Sequence, residues 1–295
     1  MKLSRNLIAI GITLTLLACG GAEERKAAYM AKAEQSLNAG DLDKARIELK
    51  NVLQIDPKDA QAYFKLGNIF ERKQEFRKAF GNYNKAAELD PENSEYQAKI
   101  GRFHLVLAGD IETATEKMEL ILAKDKNDIN GLLLKAGILL KQGKAGEAKE
   151  IARSIFEDNP GNVENATFLA SLYSQDKEYT DAVAVLDKSI QLNPGNQTLL
   201  KTLANTLFAN KEFARSEQVW KEILNAHPEV FQNHLTLALF YQKTGEAAKA
   251  EDVLRAAITA DEEDVQRKIV LVEFIQQTKG TGQAITELED IIKNN

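Results

Sequence analysis

The side chains able to do nucleophilic, redox or transition-metal chemistry are few: one cysteine, Cys19, and three histidines, His104, His227 and His234, in 295 residues. One cysteine can form neither an intramolecular disulfide nor a multi-cysteine zinc site. His227 and His234 stand seven residues apart and His104 is distant from both, which matches no common metal-ligand spacing. No serine lies in a nucleophile-elbow sequence, and no glycine cluster could cradle a phosphate. Carboxylates are scattered, apart from the run Asp261-Glu262-Glu263-Asp264, whose expected place is a helix N-terminus favoured by the dipole. No catalytic residue, metal ligand or cofactor site is therefore assigned. Binding is the remaining class of function.

The position of Cys19 gives it a different chemistry. Lys2 and Arg5 precede an apolar stretch, Leu7 to Leu17, that is too short to span a bilayer as a helix. Residues 1–18 thus read as a secretory signal. The run Leu16-Leu17-Ala18-Cys19-Gly20 resembles the lipobox of bacterial lipoproteins. That resemblance implies a lipidated Cys19, carrying acyl chains such as palmitate, as the first residue of the mature protein. At about 0.8 kcal/mol per buried methylene, several chains make a stable anchor. Gly20 follows instead of the aspartate that favours inner-membrane retention, so the resemblance points to the periplasmic face of the outer membrane. Residues 19–25 are expected to be the lipidated cysteine and a short tether.

The elements behind the anchor are set by the five prolines, Pro57, Pro91, Pro160, Pro194 and Pro228. Three of the four gaps between them are 34 residues, and the fourth is two such periods plus one residue. Helix breakers on a lattice signify a repeated two-helix unit. With each proline at position 32, units start at 26, 60, 95, 129, 163, 197, 231 and 265, and Lys126 and Glu262 occupy the slots that lack proline. Position 8 carries Ala33, Gly67, Ala136, Ala170, Ala204 and Ala238; position 20 carries Ala45, Ala79, Ala114, Ala148, Ala182, Ser216, Ala250 and Ala284. Small residues at both places predict closely packed helices. Gly40, Gly109, Gly143 and Gly245 are expected to end first helices. Asp59, Asn93, Asn162 and Asn196 are expected to cap the next ones. The extra residue of the third unit is expected in the loop region 107–113, which leaves Gly101 one step early.

Residues 60–93 place Tyr63, Leu66, Gly67, Phe70, Ala79, Tyr83, Ala86 and Pro91 at positions 4, 7, 8, 11, 20, 24, 27 and 32. This resembles the tetratricopeptide repeat at each signature position, and the resemblance extends over nearly all of residues 26–295. It implies an all-α, right-handed αα superhelical solenoid of about eight units that acts as a non-catalytic protein-binding scaffold. In that family, first helices line a concave groove through positions 2, 5, 9, 12 and 13. Here the early groove would offer Phe64, Asn68, Glu71, Arg72 and Arg102, and the late groove Lys201, Asn205, Phe208, Gln242 and Lys243. Lys201 and Asn205 match the start of the family's carboxylate clamp, but Leu235 and Thr236 stand where its next members are needed.

The opening unit is similar to that of repeat lipoproteins associated with exosortase and PEP-CTERM systems. This implies assembly of an envelope or exopolysaccharide-export system. An adaptor for peptidoglycan-modifying enzymes and a pilus or secretin assembly lipoprotein are the alternatives. The partners implied are envelope proteins or peptides in the groove and the membrane through the lipid on Cys19. Self-association through the apolar face Ile285, Leu288, Ile291 and Ile292 is a further expectation. Net charge is −6, or −8 once Lys2 and Arg5 leave with the signal, which argues against nucleic acid as a partner.

Overall fold

A computed structural model of the chain describes residues 21–37 and 40–293, and among these every regular element is a helix. The chain divides into two compact units, residues 1–151 and 152–295. The first holds α1 (residues 21–37), α2 (Leu42–Ile55), α3 (Ala60–Arg72), α4 (Phe76–Leu89), α5 (Ser94–Phe103, continued by a π-helical turn, His104–Ala108), α6 (Ile111–Lys124) and α7 (Ile129–Lys141). The division falls within α8 (Ala145–Asp158). The second unit continues with α9 (Val163–Gln175), α10 (Tyr179–Leu192), α11 (Gln197–Ala209), α12 (Phe213–Ala226), α13 (Phe231–Thr244), α14 (Ala247–Ala260), α15 (Val265–Lys279) and α16 (Thr281–Lys293). The fold is an all-α helical repeat. From α2 to α7 and from α9 to α16 successive helices pack on one another, and first helices of adjacent pairs also meet, α5 with α7 and α9 with α11.

Local chemistry explains where the helices start and stop. The carboxylate of Asp59 accepts a hydrogen bond from the amide of Ala62 at 2.8 Å, and Asn162 does the same for Asn165 at 2.8 Å. Asn93 and Asn196 cap α5 and α11 likewise. The acidic run splits its duties: Asp264 caps α15, and Asp264 and Asp261 both approach the guanidinium of Arg267. Gly40, Gly109, Gly143 and Gly245 take left-handed backbone angles between paired helices. Where the sequence has no glycine at that place, Gln74, Lys177 and Lys211 adopt φ of 60°, 63° and 63° instead. The turn geometry belongs to the repeat and is imposed on whichever residue occupies it.

Packing follows the small-residue register. Every residue at positions 8 and 20 named above is buried. Ser216, the one hydroxyl in that set, donates to the carbonyl of Ala204 at 2.8 Å, so a position-20 side chain lies directly on position 8 of its own unit. Buried polar side chains hold adjacent elements of the second unit together. Asn165 donates to the carbonyl of Ala152, Asn233 to that of His227, and Arg267 to those of Ala257 and Glu229.

Two boundaries differ from expectation. Helix α5 begins at Ser94, one residue before the expected 95, and the extra residue is absorbed by the π-turn within the helix end, not by the loop after it. Counted from Ser94, Gly101 regains position 8. A Cβ there would lie 2.6 Å from Leu134 Cδ2 and 3.2 Å from Lys117 Cβ, the close approach that this position serves. At the other boundary, α1 is already helical at residue 21, inside the segment expected to be a tether. Ala22, Glu23 and Glu24 favour a helix start, and Glu23 pairs with Lys26 at 3.2 Å. Residues 1–18, Cys19 and Gly20 lie outside the described residues.

Candidate protein-binding surfaces

The first-helix residues expected to form the early groove separate into three kinds. Phe64 is buried at 8% exposure, packed between Tyr83 and Tyr96 with ring centroids 5.5 and 4.7 Å away. Its place is the core, because two large rings from neighbouring helices cover it. Asn68, Glu71 and Arg102 sit in a polar network. The Tyr83 hydroxyl donates to Glu71 Oε2 at 2.5 Å and lies 2.8 Å from Asn68 Oδ1, and the Lys99 ammonium lies 2.7 Å from the same carboxylate. Burial opposes the charge on Glu71, but Lys99 and Tyr83 outweigh it and hold the carboxyl below the usual carboxylate range. Burial, reinforced by Glu71, pushes the Tyr83 phenol up. Burial also lowers the guanidinium pKa of Arg102, against the opposing pull of Glu71 and Glu95. Only Arg72 of the early set is exposed.

The late set is more open. Helix α11 presents Lys201, Asn205 and Phe208 at spacings of four and three, so they share one helical face. The Lys201 ammonium reaches Gln197 Oε1 at 3.3 Å, and Asn205 is exposed. Phe208 packs on Phe213 and Phe240, with the Lys243 ammonium 6.0 Å from its ring centre. That contact brings α11 and α13 together and sets Gln242 and Lys243, both exposed, beside the α11 face. Leu239 belongs to the same face at 47% exposure and was missed in the sequence, although it holds the position that Asn205 holds one unit earlier. The surface is an aromatic and an aliphatic anchor surrounded by amide and ammonium groups. It can bury an apolar side chain and bond peptide carbonyls.

Each histidine has its own local environment. His234 is buried at 3% exposure, and burial lowers its pKa. The Nδ1 atom of His104 lies 3.1 Å from Asp110, and that of His227 lies 3.4 Å from Glu229. Among the described residues no three His, Cys, Asp or Glu side chains are grouped to hold a metal, and no helix is long and apolar enough to cross a membrane.

Paired helices joined by left-handed turns in a constant register define a helical-repeat protein. Sequence models of the tetratricopeptide repeat match residues 38–74, 60–93, 139–189, 173–236 and 231–264, more than half of the chain. The chain belongs to the tetratricopeptide-repeat proteins, which mediate protein–protein contacts. It is similar to the type IV pilus assembly protein PilF of Pseudomonas aeruginosa, 26% identical over 167 residues that make up 55% of this chain and 65% of that one. It is also similar to the BBSome complex member BBS4 of Bos taurus, 31% identical over 122 residues, 40% of this chain and 23% of that protein. The chain spans less than two thirds of the length of each. A thermophilic tetratricopeptide-repeat protein of Thermus thermophilus shares the fold, with a TM-score of 0.52 and 15% identity over 62% of this chain and 99% of that one.

Proposed function

We propose that the chain is a non-catalytic binding scaffold of the bacterial envelope. A lipid on Cys19 tethers it to the periplasmic face of the outer membrane, and it assists assembly of an envelope or exopolysaccharide-export system. The observation that carries the reading is the open face of α11 and α13, with Lys201, Asn205 and Phe208 on one helix, Leu239, Gln242 and Lys243 on the other, and the Lys243 ammonium 6.0 Å from the Phe208 ring centre. Such a face suits an extended peptide or a partner helix. Self-association through the exposed Ile285, Leu288 and Ile292 of α16 belongs to the same proposal. A second reading, pilus assembly, is favoured by the similarity to PilF.

The test is a photo-crosslinking amino acid at position 205 or 239 in living cells. Adducts with one defined envelope protein are expected, and they should disappear when Lys201→Glu and Lys243→Glu are combined. Absence of any adduct from both positions would overturn the scaffold reading. Cys19→Ala should move the protein out of the outer-membrane fraction, and unchanged membrane lipidation would refute the anchor. An adduct with a pilus secretin would select the second reading over export.

A further inference from the structure

A surface hollow of about 630 Å³ is lined by residues of α4 and of the π-turned end of α5, among them Phe76, Arg77, Phe80, Phe103, His104 and Leu107. Phe80 and Phe103 stack with centroids 5.2 Å apart, Phe76 meets Phe103 edge-on at 6.4 Å, and the His104 ring stands edge-on to Phe80 at 5.3 Å. Phe76 is 41% and Leu107 50% exposed, so part of this apolar wall remains open to water. The π-turn inserts the extra residue of the repeat at this place, and such turns recur at functional sites.

The charges are arranged to suit an acidic visitor. Asp110 is committed: it accepts from the Thr113 amide at 3.0 Å and holds His104 Nδ1 at 3.1 Å, which orients the imidazole along the wall. Glu75, next to the hollow in the chain, is paired with Lys78. Arg77 is exposed and makes no ion pair or hydrogen bond among the described residues. The hollow therefore combines an aromatic floor with one uncommitted guanidinium at its edge.

We propose that this hollow is a second binding site, separate from the α11–α13 face, for a peptide segment that inserts an aromatic side chain and sets a neighbouring carboxylate against Arg77. The stacked and edge-on rings offer an inserted ring the offset and T-shaped partners that aromatic pairs prefer. A guanidinium bonds a carboxylate in a charge-assisted, two-pronged geometry. The volume falls within the roughly 300–1,000 Å³ typical of small-ligand pockets, ample for one such anchor. Because the hollow is open on one side, the main chain flanking the anchor can run past it in either direction.

The test titrates three blocked peptides into the isotope-labelled full chain and follows backbone amide shifts. The probes are acetyl-Gly-Trp-Asp-Gly-amide, acetyl-Gly-Trp-Lys-Gly-amide and acetyl-Gly-Ala-Asp-Gly-amide. The first is expected to shift amides within residues 76–80 and 103–110 in a saturable way, and the other two to bind at least about tenfold more weakly. Arg77→Glu, at an exposed position with no partner to lose, is expected to keep the helical spectrum and reverse the preference between the acidic and basic peptides. Equal binding of the three peptides, shifts centred on α11 and α13, no binding, or an unchanged preference in Arg77→Glu would each overturn the proposal.

Discussion

Adding one methyl group to each of two glycines in the same helix pair should change stability in opposite directions. Gly81 lies on the exposed side of α4, and a Cβ there meets nothing within 4 Å. Replacing glycine by alanine in an open helix interior contributes about 1 kcal/mol of stability. Gly67 has the same propensity gain available, but its Cβ would lie 2.5 Å from Tyr83 Cδ1 and closer still to Cε1. The Tyr83 ring is fully buried, and Phe64 and Phe103 pack on it at 5.5 and 5.9 Å. Its hydroxyl is bound by Asn68 and Glu71, so rotating the ring away weakens a hydrogen bond to a charged group, a loss of about 1.5–3 kcal/mol. Overpacking alone costs about 1–3 kcal/mol. The balance for Gly67→Ala is a loss of about 1.5–5 kcal/mol, against a gain of up to about 1 kcal/mol for Gly81→Ala.

Urea unfolding followed by far-ultraviolet circular dichroism measures the difference. With a slope of about 2 kcal/mol per molar urea, the two midpoints should separate by more than about 1 M. Both substitutions fall in the α3–α4 pair, so incomplete cooperativity of a repeat array affects them alike. A Gly67→Ala protein as stable as Gly81→Ala would refute the close approach of α3 and α4 at this position.

Other substitutions test other parts of the fold. Arg267→Ala should cost about 3 kcal/mol, because the carbonyls of Ala257 and Glu229 lose their donor, and Arg267→Lys should restore only part of it; thermal melts will show the ranking. Lys211→Gly should raise the melting midpoint by relieving a left-handed non-glycine residue, a gain of about 1 kcal/mol that a neutral or lower midpoint would contradict. Glu217 is held at a pKa of about 2 by Lys221 first and then by Tyr241, with Lys249 nearby. A depressed carboxyl contributes stability above its unfolded pKa and loses it as pH falls toward 2. Glu217→Gln should therefore flatten acid denaturation between about pH 4.5 and 2, by roughly 1–2 kcal/mol after solvent screening of the surrounding ammonium groups. Leu288→Asp should shift any dimer to monomer in sedimentation; an unchanged oligomer would exclude the α16 face as the contact.

Much of this was legible in the chain. The proline interval, the small residues at positions 8 and 20 and the Asp and Asn caps each act over a few residues or one helix turn, and the helices form where those signals stand. The candidate site was legible only in part. A register position states the direction in which a side chain leaves its helix, and it does not state what a neighbouring helix places over it. Phe64 and Lys201 hold the same register position, yet Tyr83 and Tyr96 bury the first while the second stays at the surface. Tyr83 counted as core, but its length carries a hydroxyl through to Asn68 and Glu71.

The extra residue of the third unit shows the same division. Counting alone reveals that one residue is surplus between Pro91 and Pro160, and a loop is the least demanding place for it. The structure instead keeps Gly101 against Lys117 and Leu134 and takes up the surplus in the turn His104–Ala108. The sequence by itself determined the repeat, its caps and its turns, because these are short-range and periodic. Only the tertiary structure decided where the surplus went, which rings were covered and where an aromatic hollow opened, because those outcomes depend on the sizes of side chains brought together from different helices.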